Sequence, residues 1–166
     1  RWNGFVPPAW RKIRRISRFA GNAIRRDLLL ENTFMIPAKL TASAPVLLVK
    51  DVMAAANYYR DKMGFGYDRF FGEPPTFVIL NRDGMAVMLK QASDPKHVVP
   101  HWTVSDKLCD IYFWVSDAVA LHAEFVAKGV KIDYGLYEQP YGCREFGIQD
   151  LDGHDISFGE FIRKEK

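Results

Sequence analysis

The chain has 166 residues, 48% of them hydrophobic and 14% aromatic, with 26% charged and a net charge of +3, which suits one packed domain or two small halves sharing a core. No apolar run approaches the roughly 18–20 residues of a membrane-spanning helix, and two cysteines, Cys109 and Cys143, are too few for a disulfide framework and lack metal-knuckle spacing. The charge is uneven: residues 1–40 carry nine Lys or Arg against two acids, +7, and residues 41–166 carry fourteen against eighteen, −4.

The first element in chain order is a basic extension. "AWRKIRRISRFAGNAIRRDLLL" spaces Ile13, Ile16, Phe19 or Ala20, and Ala23 or Ile24 at helical intervals with arginines between them. Two readings stand. One is an interaction arm for an anionic membrane or nucleic acid, using residues 1–34. The other is an appended helix or sequence upstream of the natural start, because the globular pattern begins only near Met35. The Arg-rich, acid-poor start shares features with transit peptides, but an apolar core with a small-residue cleavage site is missing, so it is not a secretory signal. The expected organisation is a basic N-terminal extension over residues 1–40 and a single domain over 41–166.

From residue 44 the chain reads as one unit used twice, over about 44–91 and 109–161. "VLLVKDVMAAANYYRDKMGFGY" answers "IYFWVSDAVALHAEFVAKGVKI". Each opens on a β-rich run and then an Asp, Asp51 or Asp117, that suits a helix N-cap. Val52, Ala55, Ala56 and Tyr59 form the apolar stripe of the first helix, and Ala118, Leu121 and Phe125 that of the second. Each helix stops at a glycine, Gly64 or Gly129. The aspartates lie 66 residues apart and the glycines 65, so the register holds. Three strands follow each helix, at about 65–71, 76–81 and 85–91, then at about 130–138, 143–150 and 155–161. "NRDG" and "DLDG" are the corresponding hairpin turns. The unit is therefore βαβββ, and a period this long indicates duplication within one fold. "QASDPKHVVPHWTVSDK" is the linker.

The paired βαβββ pattern, the Asp-capped helices and the closing D-x-D-G turn resemble the vicinal oxygen chelate superfamily of glyoxalases, dioxygenases and bleomycin-resistance proteins. The bleomycin-resistance proteins are most resembled, over about residues 35–161. "AKLTASAPVLLVKDV" is similar to their opening strand and "EQPYGCREFGIQDLDGHDISF" to their final hairpin, with Leu151 standing where a proline is usual. The resemblance implies an α+β fold of curled mixed sheets. It also implies a homodimer that exchanges the first strand, with Pro45 as the hinge, and builds each ligand crevice from both chains.

Metal-using members of that superfamily place ligands at positions that correspond here to Ala44, Met88, Asp110 and Ser157. One carboxylate among these cannot hold a divalent ion against water, so no metal and no cofactor are expected. No nucleophile elbow or phosphate loop is present. His97 and His101 have zinc spacing for a helix, which Pro95 and Pro100 forbid. His122 is expected on the solvated side of its helix, His154 is expected to face solvent just past the turn glycine, and Glu160 falls on the face opposite Ser157. Cys143 beside Arg144 is either a thiol activated by the cation or a small core residue. No catalytic residue is therefore assigned. Alternation puts Asp110, Tyr112 and Trp114 on one face. Phe77 and Tyr141 match positions that contact the drug in the resembled proteins. With Met88, Gly142 and Ser157 these residues form the expected ligand-binding set. The expected function is sequestration of a bleomycin-like drug or other aromatic small molecule in a dimer crevice, in a reducing cytoplasm. The alternatives are a metal-dependent lyase or dioxygenase of the same superfamily, and an interaction protein acting through its basic arm.

Overall fold

β1 (Val46–Val49) leads through Asp51 into α1 (Val52–Met63), and β2 (Phe70–Phe71), β3 (Phe77–Arg82) and β4 (Met85–Gln91) complete the first repeat. The second repeat is β5 (Ile111–Trp114), α2 (Ala118–Ala127), β6 (Lys131–Glu138), β7 (Cys143–Gln149) and β8 (Asp155–Phe161). The computed structural model describes residues 38–162. The basic extension, with the readings placed on residues 1–34, lies outside them. Leu40 opens the compact unit to which both repeats belong.

Local chemistry explains the elements. The Asp51 carboxylate accepts from the Met53 and Ala54 amides at 2.9 and 3.0 Å, and Asp117 accepts from Ala120 at 2.8 Å. Both satisfy amides that lack an intrahelical partner. Glu160 adds a second cap to α2 by accepting from the Ala118 amide at 3.1 Å. The helices end where Gly64 and Gly129 take φ of 73° and 66°, a conformation that costs other residues. In the first hairpin Asp83 and Gly84 both have positive φ, as a two-residue turn between Arg82 and Met85 requires.

Each repeat folds into a four-stranded mixed sheet, ordered β1-β4-β3-β2 and β5-β8-β7-β6. The first strand of each runs parallel to the last, and the remaining pairs are antiparallel. β1 pairs with β4 of its own chain, Val46 opposite Met88, with the Met88 amide donating to the Pro45 carbonyl at 2.9 Å. β2 is shorter than the 65–71 strand expected. Phe65 turns into the core and packs 6.3 Å from Phe113, and Gly66 forms an isolated bridge to Asn81, so the ladder is interrupted. The proline-bearing linker contains two short 3-10 turns, Pro95–His97 and His101–Thr103.

The helices pack on one face of their sheets, and the two repeats share one core. Val52, Ala55, Ala56 and Tyr59 are all buried there, as are Ala118 and Phe125, with Leu121 packed at the margin. Phe113, Phe158 and Phe146 stack in sequence at 5.6 and 5.1 Å, and Phe125 meets the last two edge-on. Such aromatic pairs contribute about 0.5–1.5 kcal/mol each beyond the area they bury. His122 is half-buried rather than fully solvated, because its ring lies edge-on to Phe146 at 5.2 Å.

Polar contacts lock one repeat to the other. The Tyr59 hydroxyl on α1 donates to Asp150 of the β7–β8 turn at 2.9 Å. Asp150 also accepts from the amides of Asp152 and His154 and from the His154 ring. His154 is 3% exposed, so its expected solvent-facing position is corrected: the turn folds the ring inward onto a buried carboxylate. Arg82 reaches Glu124 on α2 at 2.8 Å.

A tyrosine-covered sheet face as candidate functional site

The face of each sheet away from its helix carries most of the expected ligand-binding residues. Strand parity assigns it. On β7, Phe146 and Ile148 point to the core, so Cys143, Glu145, Gly147 and Gln149 point the other way. On β8, Ser157 and Gly159 share that open face, with Ile156 and Phe158 in the core.

Two glycines let tyrosine rings lie flat across this surface. A Cβ at Gly147 would fall 2.2 Å from the Tyr134 ring, and one at Gly159 would fall 1.8 Å from the Tyr112 hydroxyl. Tyr134 reaches across to Ser157, donating to its Oγ at 3.0 Å. The Tyr112 hydroxyl donates to Glu145 Oε1 at 2.6 Å. Tyr141 donates to the same carboxylate at 2.9 Å, and Gln139 Nε2 to Oε2 at 2.9 Å. Tyr112 meets Trp114 edge-on at 4.9 Å, and Trp114 stacks on Phe161 at 4.0 Å with the planes 9° apart. The outer rings are open: Tyr141 is 65% exposed and Phe161 67%.

Desolvation where each hydroxyl meets its neighbours, exposed as the Tyr141 ring otherwise is, and the nearby Glu145 carboxylate move these phenols up. Tyr141 is pushed to about 12 and Tyr112 well above its ordinary value. Tyr134 also rises to about 12, first through burial, with its Ser157 hydrogen bond working in the opposite direction. All three are therefore neutral hydroxyls at neutral pH. Burial likewise raises the Cys143 thiol, so the Arg144 side chain does not activate it. Both cysteines are free thiols.

Of the eight expected residues, Tyr112, Trp114, Tyr141 and Ser157 come together on the second sheet's open face. Gly142 forms the adjoining turn, at φ 83°. Phe77 and Met88 are half-buried on the open face of the first sheet, where Phe77 packs 5.9 Å from Phe71. Asp110 stands apart from the ring cluster. Its buried carboxylate accepts from the backbone amides of His101 at 3.2 Å and Asp155 at 3.0 Å.

Glu145 is the functional candidate missed in the sequence. The Arg-Glu-Phe run reads there as a hairpin signature, although parity with Gly147 already aims Glu145 at the open face. Tyr134, Tyr137 and Gln139 were hidden by two register shifts in β6.

The four positions that would carry metal ligands do not fit a divalent cation. Ala44 and Met88 offer no hard donor, Ser157 is engaged by Tyr134 and Asp110 by two amides. Among the described residues no three His, Cys, Asp or Glu side chains are grouped to hold a metal.

The architecture is that of a paired βαβββ fold carrying an aromatic sheet face. The profile of the Glyoxalase/Bleomycin resistance protein/Dioxygenase superfamily matches residues 41–158, and the chain belongs to that superfamily. Among curated protein sequences none matches significantly. The chain is similar in structure to the bleomycin-binding protein of bleomycin-producing Streptomyces verticillus, crystallised with copper(II)-bleomycin (25% identity, 77% of this chain and 100% of that one, TM-score 0.55). It is also similar to TioX from Micromonospora sp. ML1 (22%, 74% and 99%, 0.59) and to a lactoylglutathione lyase from Agrobacterium tumefaciens (18%, 75% and 95%, 0.54). Among the described residues no helix is long and apolar enough to cross a membrane.

Proposed function

We propose that this protein is a metal-independent binder that sequesters a flat aromatic small molecule, of the bleomycin type or another, on the open face of its second sheet. The observation that carries this reading is the layer of rings held flat by Gly147 and Gly159, with Trp114, Tyr141 and Phe161 turned outward. Planar faces offset from one another suit stacking with a heteroaromatic ligand. Sequestration requires no bond-making, and the donor set at the four metal positions supplies no Lewis acid. Similarity to a protein crystallised with copper(II)-bleomycin supports the ligand class.

The reading includes a homodimer in a reducing cytoplasm, in which the open face of one copy's first sheet, with Phe77 and Met88, closes over the second sheet of its partner. Isothermal titration with metal-free and copper-loaded bleomycin tests the drug assignment. Saturable binding at about 10 µM or tighter is expected; no heat at that concentration would remove bleomycin as the ligand. Elemental analysis of the purified protein tests metal independence, and stoichiometric zinc or iron with turnover of methylglyoxal–glutathione would overturn it.

A further inference from the structure

Glu145 is a carboxylate that is 4% exposed and held by neutral donors, two phenols and an amide. Among the described residues it forms no ion pair. Its neighbour Arg144 points to the opposite side of β7, where it pairs with Glu138 at 2.8 Å and lies 4.0 Å from Glu160. A negative charge therefore sits beneath the ring layer with no positive charge to match it among the described residues. Three charge-assisted hydrogen bonds offset part of the cost of burying it.

We propose that Glu145 is the counter-charge that makes this face select cationic ligands, a planar aromatic ring bearing a fixed positive charge or a protonated amine. The inference rests on the binding reading above and adds the ligand's charge to it. Two features beyond the carboxylate point the same way. The faces of Trp114, Tyr141 and Phe161 carry the negative side of their ring quadrupoles, which attracts cations. The −4 charge of residues 41–166 biases approach in the same sense. Tyr141, itself 65% exposed and bonded to both carboxylate oxygens, covers the outer side of Glu145.

The test uses two probes of one shape. Thioflavin T is a benzothiazolium cation; 2-[4-(dimethylamino)phenyl]-6-methylbenzothiazole is its neutral parent. The wild-type protein is expected to prefer the cation by about tenfold or more. Glu145→Gln, which keeps the size and an acceptor for the phenols, is expected to reduce that preference to about threefold or less by weakening the cation's binding more than the neutral probe's. Tyr141→Phe retains the charge and removes one of the donors that offset it, so the preference holds or rises. Equal wild-type affinities, a preference that survives Glu145→Gln, or one lost in Tyr141→Phe would each overturn the inference and leave the binding reading standing. Failure of both probes to bind wild type at about 100 µM would overturn the binding reading itself.

Discussion

Asp150 and His154 form a buried pair whose charge is tied to stability. Burial on its own would lower the His154 pKa, but the hydrogen bond and field of Asp150, with Asp110 and Asp152 behind it, raise it above the ordinary 6.5. The folded state thus binds the His154 proton more tightly than the unfolded chain does. The stability this adds is complete below about pH 6.5 and is lost as pH rises through the raised folded value. Urea denaturation of wild type is therefore expected to show a falling midpoint from pH 6 toward pH 8.5, and His154→Gln is expected to flatten that portion of the profile. Because Asp150 then loses a buried partner, the variant should also be less stable at pH 6 by about 1–3 kcal/mol. An unchanged slope would show that the pair is not charged in the native state.

At the scale of elements, β7 and β8 make the site by leaving side chains out. Gly147 and Gly159 occupy positions where a methyl group would meet a tyrosine ring, whereas Gly135 on β6 has nothing within 4 Å of a built Cβ and an ordinary φ. Gly159→Ala should cost about 1–3 kcal/mol through overpacking and lift Tyr112 off Glu145. Gly135→Ala should stay within about 0.5 kcal/mol of wild type. Thermal melts rank the two, and spectrophotometric titration should show the Tyr112 phenol ionising at lower pH in Gly159→Ala alone. Comparable effects of both substitutions would remove the packing argument.

The same elements show how far the sequence can be read. Two βαβββ units were legible because several independent signals agreed: the Asp caps, the stop glycines, the switch from period 3.6 to period 2, and the matched turns. Tyr112 and Trp114 followed from parity on a regular strand. Parity fails on β6, where register shifts on either side of Tyr134 put Ile132 and Leu136 toward the core yet bring both Tyr134 and Tyr137 to the open face. His154 was misplaced for a related reason. A residue after a turn glycine reads as solvated until the Asp150 side chain folds the turn back on itself.

The whole molecule presents apolar surface on the open faces of both sheets. Val46 and Leu48 on β1 are 59% and 41% exposed, and Trp114 on β5 is 56% exposed. These residues alternate with Leu47, Val49, Ile111 and Phe113, which pack in or against the core, so their outward direction follows from strand geometry rather than from loose packing. Large apolar side chains turned outward on a sheet face suit an interaction surface, and a specific dimer would cover about 800 Å² on each partner. Sedimentation velocity is expected to find wild type dimeric at about 10 µM. Leu48→Lys puts a charge on the open face of the first sheet's edge strand without touching the core beneath, so it should shift the protein toward monomer with little change in melting temperature. If the crevice is shared, the same substitution should also weaken aromatic probe binding, although Leu48 lies on a different sheet from Glu145. A wild-type monomer at about 100 µM would refute the dimer. A Leu48→Lys monomer that binds the probe unchanged would instead place the whole ligand surface on the second sheet of a single chain.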